Sequence, residues 1–129
     1  MQYIRKNDEM KNQSKGIKHL LNAFKYSMDG FKWAFKKEVA FRHDILFALA
    51  VLTIVAISTD FNLIKCAIVL SAFLLLFIVE LLNTAIECVV DIVSPEYNIL
   101  AKATKDMCST AVFIAIVLVF VATLSVLFL

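Results

Sequence analysis

The sequence predicts an all-α membrane protein, with an N-terminal amphipathic helix lying at the bilayer interface followed by three transmembrane helices. Three observations carry this. Of 129 residues, 61% are hydrophobic and 19% charged, against about 45–50% and about 25% in ordinary soluble domains. A small domain has too much surface to hide such a surplus. Only two Gly and one Pro punctuate the chain, so turns are few and helices long. Ten of the thirteen basic residues, Arg5, Lys6, Lys11, Lys15, Lys18, Lys25, Lys32, Lys36, Lys37 and Arg42, precede the first long apolar run. By the positive-inside rule the N-terminus is then cytoplasmic.

The elements follow in order. Residues 1–14 are polar, lack periodic apolar positions and read as a solvated tail. Over 15–37, Ile17, Leu20, Leu21, Phe24, Met28, Phe31 and Phe35 recur at helical spacing on one stripe, flanked by Lys18, Lys25, Lys32 and Lys36. Such a pattern predicts an interfacial amphipathic helix, and Trp33 suits the headgroup level. From Ile45 to Thr59 the chain is apolar, but fifteen residues rise only about 22 Å. Residues 39–44 must therefore extend the first span to 39–59 if it is to cross about 30 Å of hydrocarbon. Asp60 and Asn62 mark a turn into the second span, 63–93. Ser94-Pro95-Glu96 carries a helix-start signal, a capping hydroxyl before a first-turn proline and acid. It predicts a helix over 95–129 that begins in the cytoplasm and becomes the third span. The turn at Asp60 and the C-terminus then lie outside, and residues 91–106 inside.

Several functional classes drop out. The basic block is interleaved with apolar residues at helical spacing, which fits a membrane surface rather than nucleic acid. No cleavable signal peptide is expected, because the basic segment is too long and the apolar runs start too late. Cys66, Cys88 and Cys108 show no metal-ligand spacing and read as buried free thiols. His19 and His43 read as ordinary interfacial residues. With Gly16 and Gly30 the only glycines, neither a Walker loop nor a kinase glycine-rich loop can be written.

The second span carries the chemistry. Glu80, Asn83, Glu87 and Asp91 stand at i, i+3, i+7 and i+11, and at about 100° per residue they form one polar stripe. An acidic residue at a span's centre costs about 2.5–3.5 kcal/mol on insertion scales. Two on one face, near the end that faces the basic side, point to an active site. A polar seam between helices and a proton-relay carboxylate of an exporter remain open alternatives. Seven residues separate the glutamates by about 10.5 Å along the axis, too far to share one metal ion comfortably. One can bind metal while the deeper one acts as a base. A hard divalent ion needs further oxygens, for which Glu38 is the first candidate and Asp44 the second. Lys105 and Asp106, at the mouth of the third span, would serve a polyphosphate and a ribose or base. Carboxylates, magnesium, a lysine and a membrane interface together point to phosphoryl transfer to a lipid hydroxyl.

At these residues the sequence resembles the small integral-membrane diacylglycerol kinase family of bacteria, which also contains undecaprenol kinases. The matching runs are Glu38-Val-Ala-Phe-Arg-His-Asp44, Ile78-Val-Glu-Leu-Leu-Asn-Thr-Ala-Ile-Glu-Cys-Val-Val-Asp91, Glu96-Tyr97 and Lys105-Asp-Met-Cys-Ser-Thr-Ala-Val112, with Tyr26-Ser27 and Gly30 upstream. The resemblance implies Glu80 as catalytic base with Asn83 supporting the reacting hydroxyl, and Glu38 and Glu87 as ligands of Mg2+ beside bound ATP. It implies further ATP contacts at Tyr26, Ser27, Asp91, Lys105 and Asp106. It also implies a homotrimer of three-span subunits with sites shared between neighbours. An oligomer is expected independently, since three spans cannot surround a polar stripe. The activity implied is phosphorylation of the primary hydroxyl of diacylglycerol to phosphatidic acid at the inner membrane. Three features depart from the diacylglycerol branch: Asn98 in place of a histidine, Cys108 in place of a glycine, and the pair Ala101-Lys102, which is similar to the undecaprenol branch.

Overall fold

A computed structural model describes residues 16–128; the tail expected over residues 1–14 lies outside them. The described chain forms four helices and divides into two compact units after Lys37.

The first unit contains α1, Ile17–Lys37. Gly16 opens it at φ +89°, a left-handed conformation that glycine adopts without steric cost. Its carbonyl accepts from the His19 and Leu20 amides at 3.0 and 3.3 Å. Lys36 and Lys37 occupy the last turn, where cations complement the helix dipole. The expected apolar stripe forms and stays uncovered: Leu20, Leu21, Phe24, Met28, Phe31 and Phe35 are all exposed. Phe31 and Phe35 stack one turn apart with ring centroids 6.4 Å apart.

The second unit holds α2 (Val39–Ser58), α3 (Leu63–Val93) and α4 (Ile99–Phe128), each long and apolar enough to cross a membrane. Between α2 and α3 the chain reverses through two consecutive left-handed residues, Asp60 (φ 50°) and Phe61 (φ 56°). The Phe61 amide donates to Ala56 O at 2.7 Å, and Asn62 Oδ1 then caps α3, accepting from the Ile64 and Lys65 amides at 3.1 Å each. At 31 residues, α3 rises about 46 Å, well beyond a hydrocarbon core of about 30 Å.

The start of α4 differs from the expectation at Ser94-Pro95-Glu96. Ser94 instead closes α3, its amide donating to Val90 O at 2.8 Å, and its hydroxyl donates to Glu96 O at 3.2 Å. Residues 95–98 form the link. Asn98 is the cap of α4, its Oδ1 accepting from the Leu100 and Ala101 amides at 2.8 and 3.3 Å. Two capping residues compete within five positions, and the asparagine, which ranks at least equal to serine as an N-cap, takes the role.

The core of this unit is a narrow seam. Ala48 and Val55 from α2, Val69, Ala72, Phe73 and Leu76 from α3, and Ala115, Val119 and Val126 from α4 are buried. Small residues on each helix allow close backbone approach, the usual basis of helix packing in membranes. Between α2 and α3 an aromatic ladder fixes the register, Phe41 edge-on to Phe77 (5.8 Å) and Phe47 edge-on to Phe73 (5.7 Å). Away from the seam, large apolar side chains such as Leu46, Leu49, Ile54, Leu74, Phe113 and Leu124 face outward. Thr53 and Ser71 donate their hydroxyls to carbonyls of their own helices at 2.7 and 2.8 Å. Both features suit a hydrocarbon surround, where polar groups must be satisfied internally.

Candidate active site along helix α3

The polar stripe of α3 forms as its spacing predicts, and its members differ in exposure. Glu80 is 8% exposed, Asn83 and Glu87 are half-buried, and Asp91 is exposed. The stripe thus runs from the packed seam to open surface. Thr84, one turn beyond Glu80, is also buried.

At the buried end α2 supplies the facing group. Asp44, in the second turn of α2, brings its carboxyl close to Glu80, within electrostatic range. Glu87 and Glu38 lie within electrostatic range of Glu80 as well. Glu38 occupies the N-cap position of α2 in extended conformation, and its side chain makes no capping hydrogen bond. The Asn83 amide donates to Glu87 Oε1 at 3.3 Å, which orients both groups. Two acceptors here, Asp44 Oδ2 and Asn83 Oδ1, are buried without a hydrogen-bond partner. A buried acceptor left unpaired costs about 1–3 kcal/mol. A hydroxyl donor reaching this region would satisfy either acceptor.

Among the described residues, no three His, Cys, Asp or Glu side chains converge to hold a metal by themselves. Mg2+ does not require that. It is commonly held by one or two carboxylates, with substrate phosphates and waters completing the shell. Glu38 and Glu87 offer carboxylate oxygens, the donor type such an ion takes.

At the open end α3 and α4 meet through ions. Lys105 Nζ on α4 donates to Asp91 Oδ1 at 2.5 Å, a contact between helices, and Glu87 lies within electrostatic range of the same ammonium. Lys102 Nζ pairs with Asp106 Oδ2 at 2.6 Å, one turn along α4. These groups line a cleft of about 310 Å³ that also includes Ser94, Pro95, Glu96, Tyr97 and Asn98. Asp91, Lys105 and Asp106, expected from the sequence, are brought together here. Tyr26 and Ser27 belong to the first unit. Tyr26 is exposed, and the Ser27 hydroxyl donates to Ala23 O at 3.0 Å.

Sequence reasoning ranked Asp44 as a reserve metal ligand and missed it as the partner of Glu80. The only available signal was a charged run, Arg42-His43-Asp44, at the entrance to an apolar span. It also left Lys102 unassigned, although its spacing of three from Lys105 puts the two on one helix face.

Residues 25–127 match the family model for prokaryotic diacylglycerol kinase. The diacylglycerol kinase of Pseudomonas aeruginosa is 44% identical over 112 residues, covering 87% of this chain and 90% of that protein. That of Haemophilus influenzae is 40% identical over 104 residues, covering 81% and 87%. That of Escherichia coli K12 is 38% identical over 108 residues, covering 84% and 88%. The matched region takes in the facing carboxyls of α2 and α3, the ion-paired cleft and all three apolar helices. With its stripe and its spans accounted for together, this chain belongs to the prokaryotic diacylglycerol kinase family.

Proposed function

We propose that the chain phosphorylates the primary hydroxyl of diacylglycerol with ATP, giving phosphatidic acid and ADP at the cytoplasmic face of a bacterial inner membrane. The observation that carries this reading is the polar stripe of α3, which joins a buried carboxyl pair to an open, ion-paired cleft. A lipid hydroxyl is accessible from the bilayer only at the first, and a charged nucleotide from water only at the second. The N-terminus is cytoplasmic, α1 rests its uncovered apolar stripe in the interface, and the subunits form a homotrimer whose neighbours complete each other's sites.

In this mechanism the lipid enters laterally and presents its hydroxyl to Glu80, which orients it and takes its proton. The unpartnered Asn83 Oδ1 accepts from the same region. The hydroxyl oxygen forms a bond to the γ-phosphorus while the bond from that phosphorus to the β,γ-bridging oxygen breaks, and ADP leaves with the electron pair. Lys105 leaves Asp91 to meet the phosphates, and Asp91 and Asp106 accept from the ribose or base. Glu38 and Glu87 would hold Mg2+, which when bound would supply positive charge to offset that developing on the phosphate oxygens. Because the site excludes bulk water at Glu80, positioning and electrostatics supply most of the rate.

The deciding measurement is transfer of labelled phosphate from ATP to diacylglycerol and, side by side, to undecaprenol in mixed micelles. Preferential labelling of diacylglycerol supports the reading. Preferential labelling of undecaprenol, the outcome that Leu100-Ala101-Lys102 favours, keeps the mechanism and changes the substrate. Transfer to neither overturns it in favour of a proton-coupled exporter relaying through Glu80.

A further inference from the structure

The two lysines of the open cleft are held differently. Lys105 crosses from α4 to α3 and is the less exposed of the two, 38% against 59% for Lys102. Lys102 bonds only one turn along its own helix, to Asp106, whose side chain is 62% exposed. An exposed i,i+4 pair of this kind contributes little to stability and is readily exchanged for another partner. Three carboxylates, Asp91, Glu96 and Asp106, line the cleft against two ammoniums, Lys102 and Lys105. A polyphosphate entering it meets a net negative wall unless both cations turn toward it. Lys102 is thus the group whose present partner is cheapest to give up and whose loss would leave the cleft most repulsive.

We propose that Lys102 is a second phosphate-contacting residue of the nucleotide cleft, exchanging Asp106 for the phosphate oxygens and releasing the Asp106 carboxylate to accept from the nucleoside. This rests on the ATP reading above. The exchange moves no covalent bond: one ammonium changes anionic partners, and the carboxylate it leaves gains a free acceptor. Lys102 lies on the helix face of Lys105, within one turn, so the two can grip one phosphate chain together. Lys102 acts on affinity and not on the transfer step.

The test uses the full-length protein in mixed micelles. Lys102→Met keeps the length of the side chain and removes its charge. It is expected to raise the KM for MgATP about five- to tenfold, with kcat and the KM for diacylglycerol within about twofold of wild type. Inorganic tripolyphosphate, which has no base or ribose, should lose inhibitory potency in parallel, and Lys102→Arg should restore both values. An unchanged KM for MgATP in Lys102→Met, beside a wild type that transfers phosphate from ATP, overturns the inference and leaves the ATP reading standing. A fall in kcat with KM and tripolyphosphate inhibition unchanged also overturns it, marking Lys102 as a support of α4. Failure of the wild type to use ATP at all removes the underlying reading, and the inference with it.

Discussion

The two ends of the α3 stripe carry similar residues in opposite states. At the Glu80 end Glu80 is buried, Asp44 and Asn83 are half-buried, and each of those two carries an acceptor without a hydrogen-bond partner. At the Asp91 end the charged groups of α4 are paired, exposed and reached from outside. An unsatisfied buried acceptor is tolerated only where the surrounding structure over-determines it, and functional sites are where such costs collect. On the proposed function the difference separates the labour: reaction at the buried end, recognition at the open end. Substitutions at the first should act on kcat, and those at the second on KM.

Glu80→Gln is the most severe way to probe this division. Removal of a general base typically costs about 10²–10⁴-fold, and kcat should fall within that range while nucleotide affinity, measured by titration with a fluorescent ATP analogue, stays within about twofold. Near-normal turnover would show that Glu80 is only a seam residue. Glu87 stands between the two regions, bonded to Asn83 on one side and within range of Lys105 on the other. Glu87→Gln should weaken Mg2+-dependent nucleotide binding about 10- to 100-fold, in the range seen when metal-site groups are lost. Binding that is unchanged across a magnesium titration would exclude it as a ligand.

Asp44→Asn is gentler, because an amide can still hydrogen bond to Glu80 and fills the same volume. Its work is to position Glu80, so kcat should drop about tenfold with the KM for MgATP unchanged. The pH dependence of kcat should also shift, which a purely structural role would not produce. A rise in the KM for MgATP with kcat intact would place Asp44 in the nucleotide region and blur the two ends.

How much of this was legible in the sequence depends on what sets each feature. The stripe was legible because one helix's angular arithmetic fixes it, and Glu80, Asn83, Glu87 and Asp91 form a single face before any neighbour is known. The spans were legible because a bilayer imposes a length on apolar runs. The Asp44–Glu80 contact was not, because it depends on the register between α2 and α3. That register comes from Phe41 against Phe77 and Phe47 against Phe73, residues indistinguishable in sequence from lipid-facing ones. The Lys105–Asp91 pair, fourteen positions apart, required the geometry of the link as well. Its two residues could be named from the sequence, but their contact could not.

Asn98→Ala is the mildest test, and it addresses how rigidly the open end must be held. The Asn98 side chain caps α4 through two amides, and losing such a cap costs about 1 kcal/mol. The Ser94-Pro95-Glu96 signal upstream offers an alternative start that would lengthen α4 and shift the link. Lys102 and Lys105 lie in the turns just after the cap, so fraying there loosens the ion pairs without touching Glu80. The expected result is a Tm lower by a few degrees, a rise of about two- to threefold in the KM for MgATP, and an unchanged kcat. A comparable loss in kcat would mean that motion at the cleft is transmitted along α3 to the buried carboxyls, and that the two ends work as one unit instead of two.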